Sequence, residues 1–117
     1  VRIVQDHFRI ESRREADAVV LSLSGELDVA SAPKLEQELA SAASGDARLI
    51  VLDLRGLEFM DSTGLRAVLT AYDAAREEGR GFGLVRGPQQ VQRLLSLTRV
   101  ADRLVIVDDP GELLVSN

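Results

Sequence analysis

The stretch Leu49 to Ala71 reads LIVLDLRGLEFMDSTGLRAVLTA. It opens on an apolar run, Leu49 to Leu54, interrupted only by Asp53. That length and composition predict a strand buried on both faces, as in a parallel sheet. Arg55-Gly56 ends the run, and Leu57, Phe59 and Met60 form an apolar connector. After Asp61-Ser62-Thr63-Gly64, apolar residues recur at helical spacing: Leu65, Val68, Leu69, Tyr72 and Ala75. The pattern predicts a helix from about Ser62 to Glu78, with Asp61 and Ser62 at its start, where Asp, Ser and Thr are favoured caps.

A helix start combines unpaired backbone N–H groups with the positive end of the helix dipole. A phosphate on a serine there can be held by those donors. Gly64 leaves the first turn open to another molecule's backbone, and a glycine inside a helix asks for such a reason. Capping alone also accounts for Asp61, Ser62 and Thr63, and the residues by themselves favour it, since most such clusters are caps.

The segment Phe59-Met60-Asp61-Ser62-Thr63-Gly64-Leu65 resembles the signature of the STAS domain family, most closely that of the bacterial anti-sigma factor antagonists (anti-anti-sigma factors). Gly25-Glu26-Leu27-Asp28 followed by Ala32-Pro33-x-Leu35 resembles the family's second motif. Leu94-Leu95-x-Leu97-Thr98 and then Val105-Ile106-Val107 resemble its last helix and strand. The likeness runs in order along nearly the whole chain, read as a single domain, residues 1–117. Arg99 departs from the glycine that many family members carry after Leu-Thr, which bears on the turn before the last strand.

Composition agrees with one folded domain. The chain has 117 residues, 45% of them hydrophobic and only 3% aromatic, so its core is aliphatic. Without cysteine there is no disulfide, thiol or cysteine-metal chemistry. The net charge is −5, and basic residues are scattered without aromatics between them, which argues against a nucleic-acid face. No run reads as a membrane span or a signal peptide.

Before the central stretch, Phe8 and Ile10 suggest an edge strand, Ser12 to Asp17 a turn, and Val19 to Leu23 a strand, together an antiparallel hairpin. Ser31 is a candidate N-cap with Pro33 in the first turn. Leu35, Leu39 and Ala42 make that helix's apolar stripe, and Ser44-Gly45-Asp46 ends it with Gly45 as C-cap. Beyond Glu78 come a glycine-rich break, a strand at Phe82 to Val85, a helix opened by Pro88, a strand at Leu104 to Val107, and a short terminal helix with Leu113 and Leu114. Alternating strands and helices call for a largely parallel sheet with right-handed crossovers. The resemblance adds a STAS fold: an N-terminal antiparallel hairpin leading into a sheet of nearly sequential strand order, with helices mainly on one face.

The resemblance implies a phosphorylatable regulator and no enzyme. Its unphosphorylated form would bind an anti-sigma factor serine kinase and release a sigma factor, and a PP2C-type phosphatase would reset it. Ser62 would be the phosphorylation site, and Asp28, Asp61, Thr63, Gly64 and Leu65 would share in partner binding. No catalytic residue, cofactor or metal is implied, nor a nucleic-acid or membrane partner. The location would be cytoplasmic, and weak homo-oligomerisation is left open. The alternative within the family is a STAS subunit of a stress-sensing scaffold or a lipid-transport complex. Other classes fit less well. A receiver domain phosphorylated on Asp53 needs a lysine after a late strand, and Lys34 is the only lysine. A Ser62 hydrolase lacks Gly-x-Ser-x-Gly and would depend on His7, the single histidine. Glu26 and Asp28 could form a carboxylate pair, but no third ligand accompanies them.

Overall fold

The computed structural model describes residues 2–5 and 7–114. Among these residues six strands form one sheet in the order β1-β2-β3-β4-β5-β6. These are β1 (Arg2–Gln5), β2 (Phe8–Glu15), β3 (Ala18–Leu27), β4 (Leu49–Met60), β5 (Gly81–Val85) and β6 (Val105–Val107). β1, β2 and β3 pair antiparallel, and β3 to β6 pair parallel. Among the described residues four α-helices connect or follow them: α1 (Ala32–Ala43), α2 (Ser62–Glu77), α3 (Gln89–Ser96) and α4 (Gly111–Leu114). The strand order is sequential, as the family resemblance implied.

The hairpin grew into a three-stranded meander. Ser12 to Glu15, expected as a turn, continue β2, and only Ala16 and Asp17 make the turn. Ala16 takes φ 53°, the left-handed conformation that lets a two-residue connection follow the strand twist. β3 likewise runs on through Gly25-Glu26-Leu27, beyond the end that the apolar run predicts at Leu23.

β4 is twice as long as its apolar run. Arg55-Gly56 does not end it; the strand runs unbroken to Met60. Ser22 and Ser24 of β3 face Asp53 and Gly56 of β4, and Gly25 and Glu26 face Leu57 and Phe59. β4 therefore carries one extra residue in each interval, the signature of two bulges. Burial is continuous from Ile50 to Leu54 and then falls only on Leu57 and Met60, so a reading based on a continuous apolar run stops too early. At the first bulge, a Cβ on Gly56 would lie 2.8 Å from the Leu23 carbonyl oxygen.

The sheet has unequal faces. Ile10, Leu23, Ile50, Leu52, Leu54 and Leu84 meet Leu35 and Leu39 of α1, Val68 and Tyr72 of α2, and Val91 and Leu95 of α3. On the other face Val20, Val51 and Val85 are covered by Leu113 and Leu114 of α4. Helix α2 ends in a Schellman motif: Gly79 takes φ 70°, its N–H donates to the Arg76 carbonyl, and that of Arg80 donates to Ala75. Gly45 plays no such part; α1 ends on Ser44 without a left-handed residue. A 3₁₀ turn, Arg99–Asp102, follows α3 where the family glycine is missing. No described helix is long and apolar enough to cross a membrane.

Gly56→Ala tests the bulge. Because the added methyl meets backbone, it should cost about 1–3 kcal/mol in urea unfolding. A loss below about 0.5 kcal/mol, the usual range of an unremarkable surface change, would show that the bulge tolerates a side chain.

Candidate functional site

The carboxyl ends of β3 and β4 lie side by side. Leu27 pairs with Met60, and the Asp61 N–H donates to the Leu27 carbonyl at 3.2 Å. This bond holds Asp61 extended, at φ −102° and ψ −174°, one residue before α2. Its carboxylate Oδ1 then accepts the N–H groups of Thr63 at 2.9 Å and Gly64 at 3.0 Å. Its carbonyl accepts the Leu65 N–H at 2.9 Å. Asp61 is thus the cap, with a carboxylate at the positive end of the helix dipole.

Ser62 is the first residue of α2 and is exposed. It is not the cap, as one reading of the sequence allowed, and among the described residues its hydroxyl has no hydrogen-bond partner. The backbone donors expected to hold a phosphate at Thr63 and Gly64 are already engaged by Asp61.

Gly64 serves the interior. It is buried, and a Cβ there would sit 2.6 Å from the Leu27 carbonyl oxygen and 2.7 Å from Leu27 Cγ. The opening expected for a partner's backbone is filled by this chain's own β3. Leu65 is half-buried against the main core and Thr63 is also half-buried, so each presents only part of its side chain.

Asp28 sits beside this junction, one residue beyond Leu27, and shapes the loop into α1. Its carboxylate Oδ1 accepts the N–H groups of Ala30 at 3.0 Å and Ser31 at 3.1 Å. The Ser31 hydroxyl is turned back into the loop, accepting from the Asp28 N–H at 2.9 Å and donating to the Glu26 carbonyl at 2.8 Å. Ser31 therefore begins α1 without capping it through its side chain. Glu26 and Asp28 do not assemble a metal site; no cluster of three or more candidate ligands occurs among the described residues.

Two exposed apolar residues border the junction and were not singled out from sequence. Val29 follows Asp28 and is 70% exposed, and Phe59, paired with Glu26, is 42% exposed. The sequence pattern places Phe59 in a connector, whereas it belongs to β4. The usable signal was its place in β4 two residues before the cap, which puts an aromatic at the rim.

The rival candidates lie elsewhere or lack partners. Asp53 is buried in the middle of β4, paired with Val85 of β5, and not at a strand end. Its carboxylate is held by Arg55, with Oδ2 2.8 Å from Nη2 and Oδ1 3.0 Å from Nε. Hydrogen bonding to Asp53, and then its charge, raise the Arg55 pKa. That is a structural ion pair. His7 is exposed; its carbonyl accepts the Glu26 N–H at 2.6 Å, but no hydrogen bond among the described residues joins its imidazole to Ser62.

Residues 10–108 match the family model described as Mlab, STAS domain. The anti-sigma-B factor antagonist of Listeria monocytogenes is 27% identical over 100 residues, covering 86% of this chain and 88% of that protein. The crystal structure of an anti-sigma factor antagonist from Mycobacterium paratuberculosis superposes with a TM-score of 0.85 at 26% identity, over 95% of this chain and 94% of that one. The phosphorylated form of the Bacillus cell fate determinant SpoIIAA superposes with a TM-score of 0.72, over 89% of this chain and 96% of that one. At 18% identity it attests the fold alone.

The assignments separate three neighbouring positions. Asp61→Ala should cost about 0.5–2 kcal/mol as a lost cap. Ser62→Ala should stay within about 0.5 kcal/mol of wild type, and Gly64→Ala should lose about 1–3 kcal/mol by overpacking against Leu27. Urea unfolding of all three checks the order. A Ser62→Ala loss as large as that of Asp61→Ala would return the cap to Ser62.

Proposed function

The chain belongs to the STAS domain family, and on that premise we propose that it is an anti-sigma factor antagonist switched by phosphorylation of Ser62. Unphosphorylated, it binds an anti-sigma factor serine kinase in the cytoplasm and frees a sigma factor for RNA polymerase. The kinase supplies ATP and catalysis and ends the interaction by phosphorylating Ser62. A PP2C-type phosphatase restores the binding form. The domain is substrate and ligand, and carries no chemistry of its own.

One observation carries this reading: an exposed serine hydroxyl stands at the carboxyl end of a central strand, relieved of capping by its neighbour. A group there can be modified without taking a stabilising contact from the fold. Phosphate adds roughly −1.5 to −2 charges. With the Thr63 and Gly64 N–H groups committed to Asp61, the phosphate stays on the exposed surface and acts on whatever covers it, through bulk, desolvation and repulsion from acidic groups. Val29 and Phe59 supply apolar contact at the rim, and an exposed aromatic is a common anchor of protein interfaces. Asp61, Thr63 and Leu65 give the surface its shape, while Gly64 and Asp28 support it from within.

The same exposed Val29 and Phe59 also suit a permanent interface, as in a STAS subunit of a stress-sensing scaffold or a lipid-transport complex. The two readings part at Ser62. Titrations with the cognate anti-sigma kinase should find Ser62→Ala binding like wild type and resisting release by ATP. Ser62→Asp should bind at least about tenfold more weakly, a cost of about 1.4 kcal/mol, while melting like wild type. Normal binding by a folded Ser62→Asp would favour the permanent interface. Phosphopeptide mapping after incubation with kinase and ATP should place the label on Ser62; label on Thr63 alone would overturn the assignment. Phe59→Ala should also weaken binding, by about 1 kcal/mol or more, without lowering the melting temperature.

A further inference from the structure

Resting on the reading that Ser62 is phosphorylated, we propose that Arg66 is the phosphate's partner within the chain: phosphoserine at position 62 and the Arg66 guanidinium form an ion pair across one turn of α2. The first-turn backbone does not offer a full cradle, because the Thr63 and Gly64 N–H groups are bound to Asp61 Oδ1 at 2.9 and 3.0 Å. The neighbouring carboxylates of Asp61 and Asp28 are also negative. A positive charge beside Ser62 would therefore stabilise the dianion.

Arg66 supplies it by position. Ser62 and Arg66 are both exposed and lie four residues apart in α2, so their side chains share a face. The order is the favourable one, anion N-terminal to cation. No carboxylate competes within the helix, since the residues three and four away from Arg66 are Ser62, Thr63, Leu69 and Thr70. Among the described residues the Arg66 guanidinium has no hydrogen-bond or ion-pair partner. Arg76 of the same helix differs: its guanidinium lies 5.8 Å from the Tyr72 ring centroid. Guanidinium also matches phosphate with two parallel N–H donors, which lysine cannot do.

The pair favours the dianion over the monoanion and holds the phosphate along α2. Phosphoserine installed at position 62 by semisynthesis tests this without any kinase, so the result is independent of whether a kinase chooses Ser62. The phosphorus-31 shift of that protein, followed through pH 4–9, gives the second pKa of the phosphate. Asp61 and Asp28 act on it equally in every variant. Arg66→Gln should raise that pKa by about 0.2–0.4 units, the size expected of an i,i+4 ion pair. Arg66→Glu should raise it further and Arg66→Lys should recover most of the shift. Amide spectra of each variant verify that α2 stays folded. Equal phosphate pKa values in wild type, Arg66→Gln and Arg66→Glu would overturn the proposal. Separately, failure of the kinase to label Ser62 would remove the biological setting and leave the measured contact standing.

Discussion

The hydrogen bond from the Asp61 N–H to the Leu27 carbonyl joins the sheet to the helix that carries the site. It ties the end of β3 to the residue before α2 and fixes Asp61 in the extended geometry that capping needs. Gly64 then lets the first turn settle against Leu27 and Met60. Without the bond, the cap, the close packing of Gly64 and the exposure of Ser62 would no longer be set together.

The same junction divides labour among adjacent residues. Asp61 neutralises the helix end, Gly64 permits close approach, and Ser62 is left to solvent. A modifiable hydroxyl on a rigid frame is suited to a switch read by a partner, because a charge added there changes the surface without removing a structural contact. The exposed Phe59 belongs to the same frame: the second bulge of β4 falls between Leu57 and Phe59 and shifts which residues face outward. The Asp28 loop is held by its own carboxylate against Ala30 and Ser31, so Val29 is presented from a fixed turn.

The fold was legible wherever burial followed a simple period. Leu49 to Leu54, the apolar positions of α2 and the stripe of α1 all stand as read. Legibility failed where the period changed. The two bulges moved β4 from continuous burial over Ile50 to Leu54 to every-third burial at Leu54, Leu57 and Met60, and Arg55-Gly56 consequently looked like an end. Arg13, Arg14 and Glu15 looked like a turn because they are charged and exposed, although pairing with β3 makes them a strand. At the site, Asp61 and Ser62 are both good caps, and the choice depends on Leu27, remote in sequence. Gly64 announced a close approach, but sequence did not say that the approaching atoms belong to this chain.

The central claim is that modification of Ser62 acts on the surface and leaves the cap intact. Hydrogen exchange at the Thr63 and Gly64 amides, measured before and after phosphorylation of Ser62, tests it directly. The account predicts unchanged protection at both, because Asp61 keeps its two hydrogen bonds. Exchange accelerated roughly tenfold or more at these amides, a loss of about 1.4 kcal/mol in local opening free energy, would mean that phosphate displaces Asp61 and that the switch works by loosening the helix start.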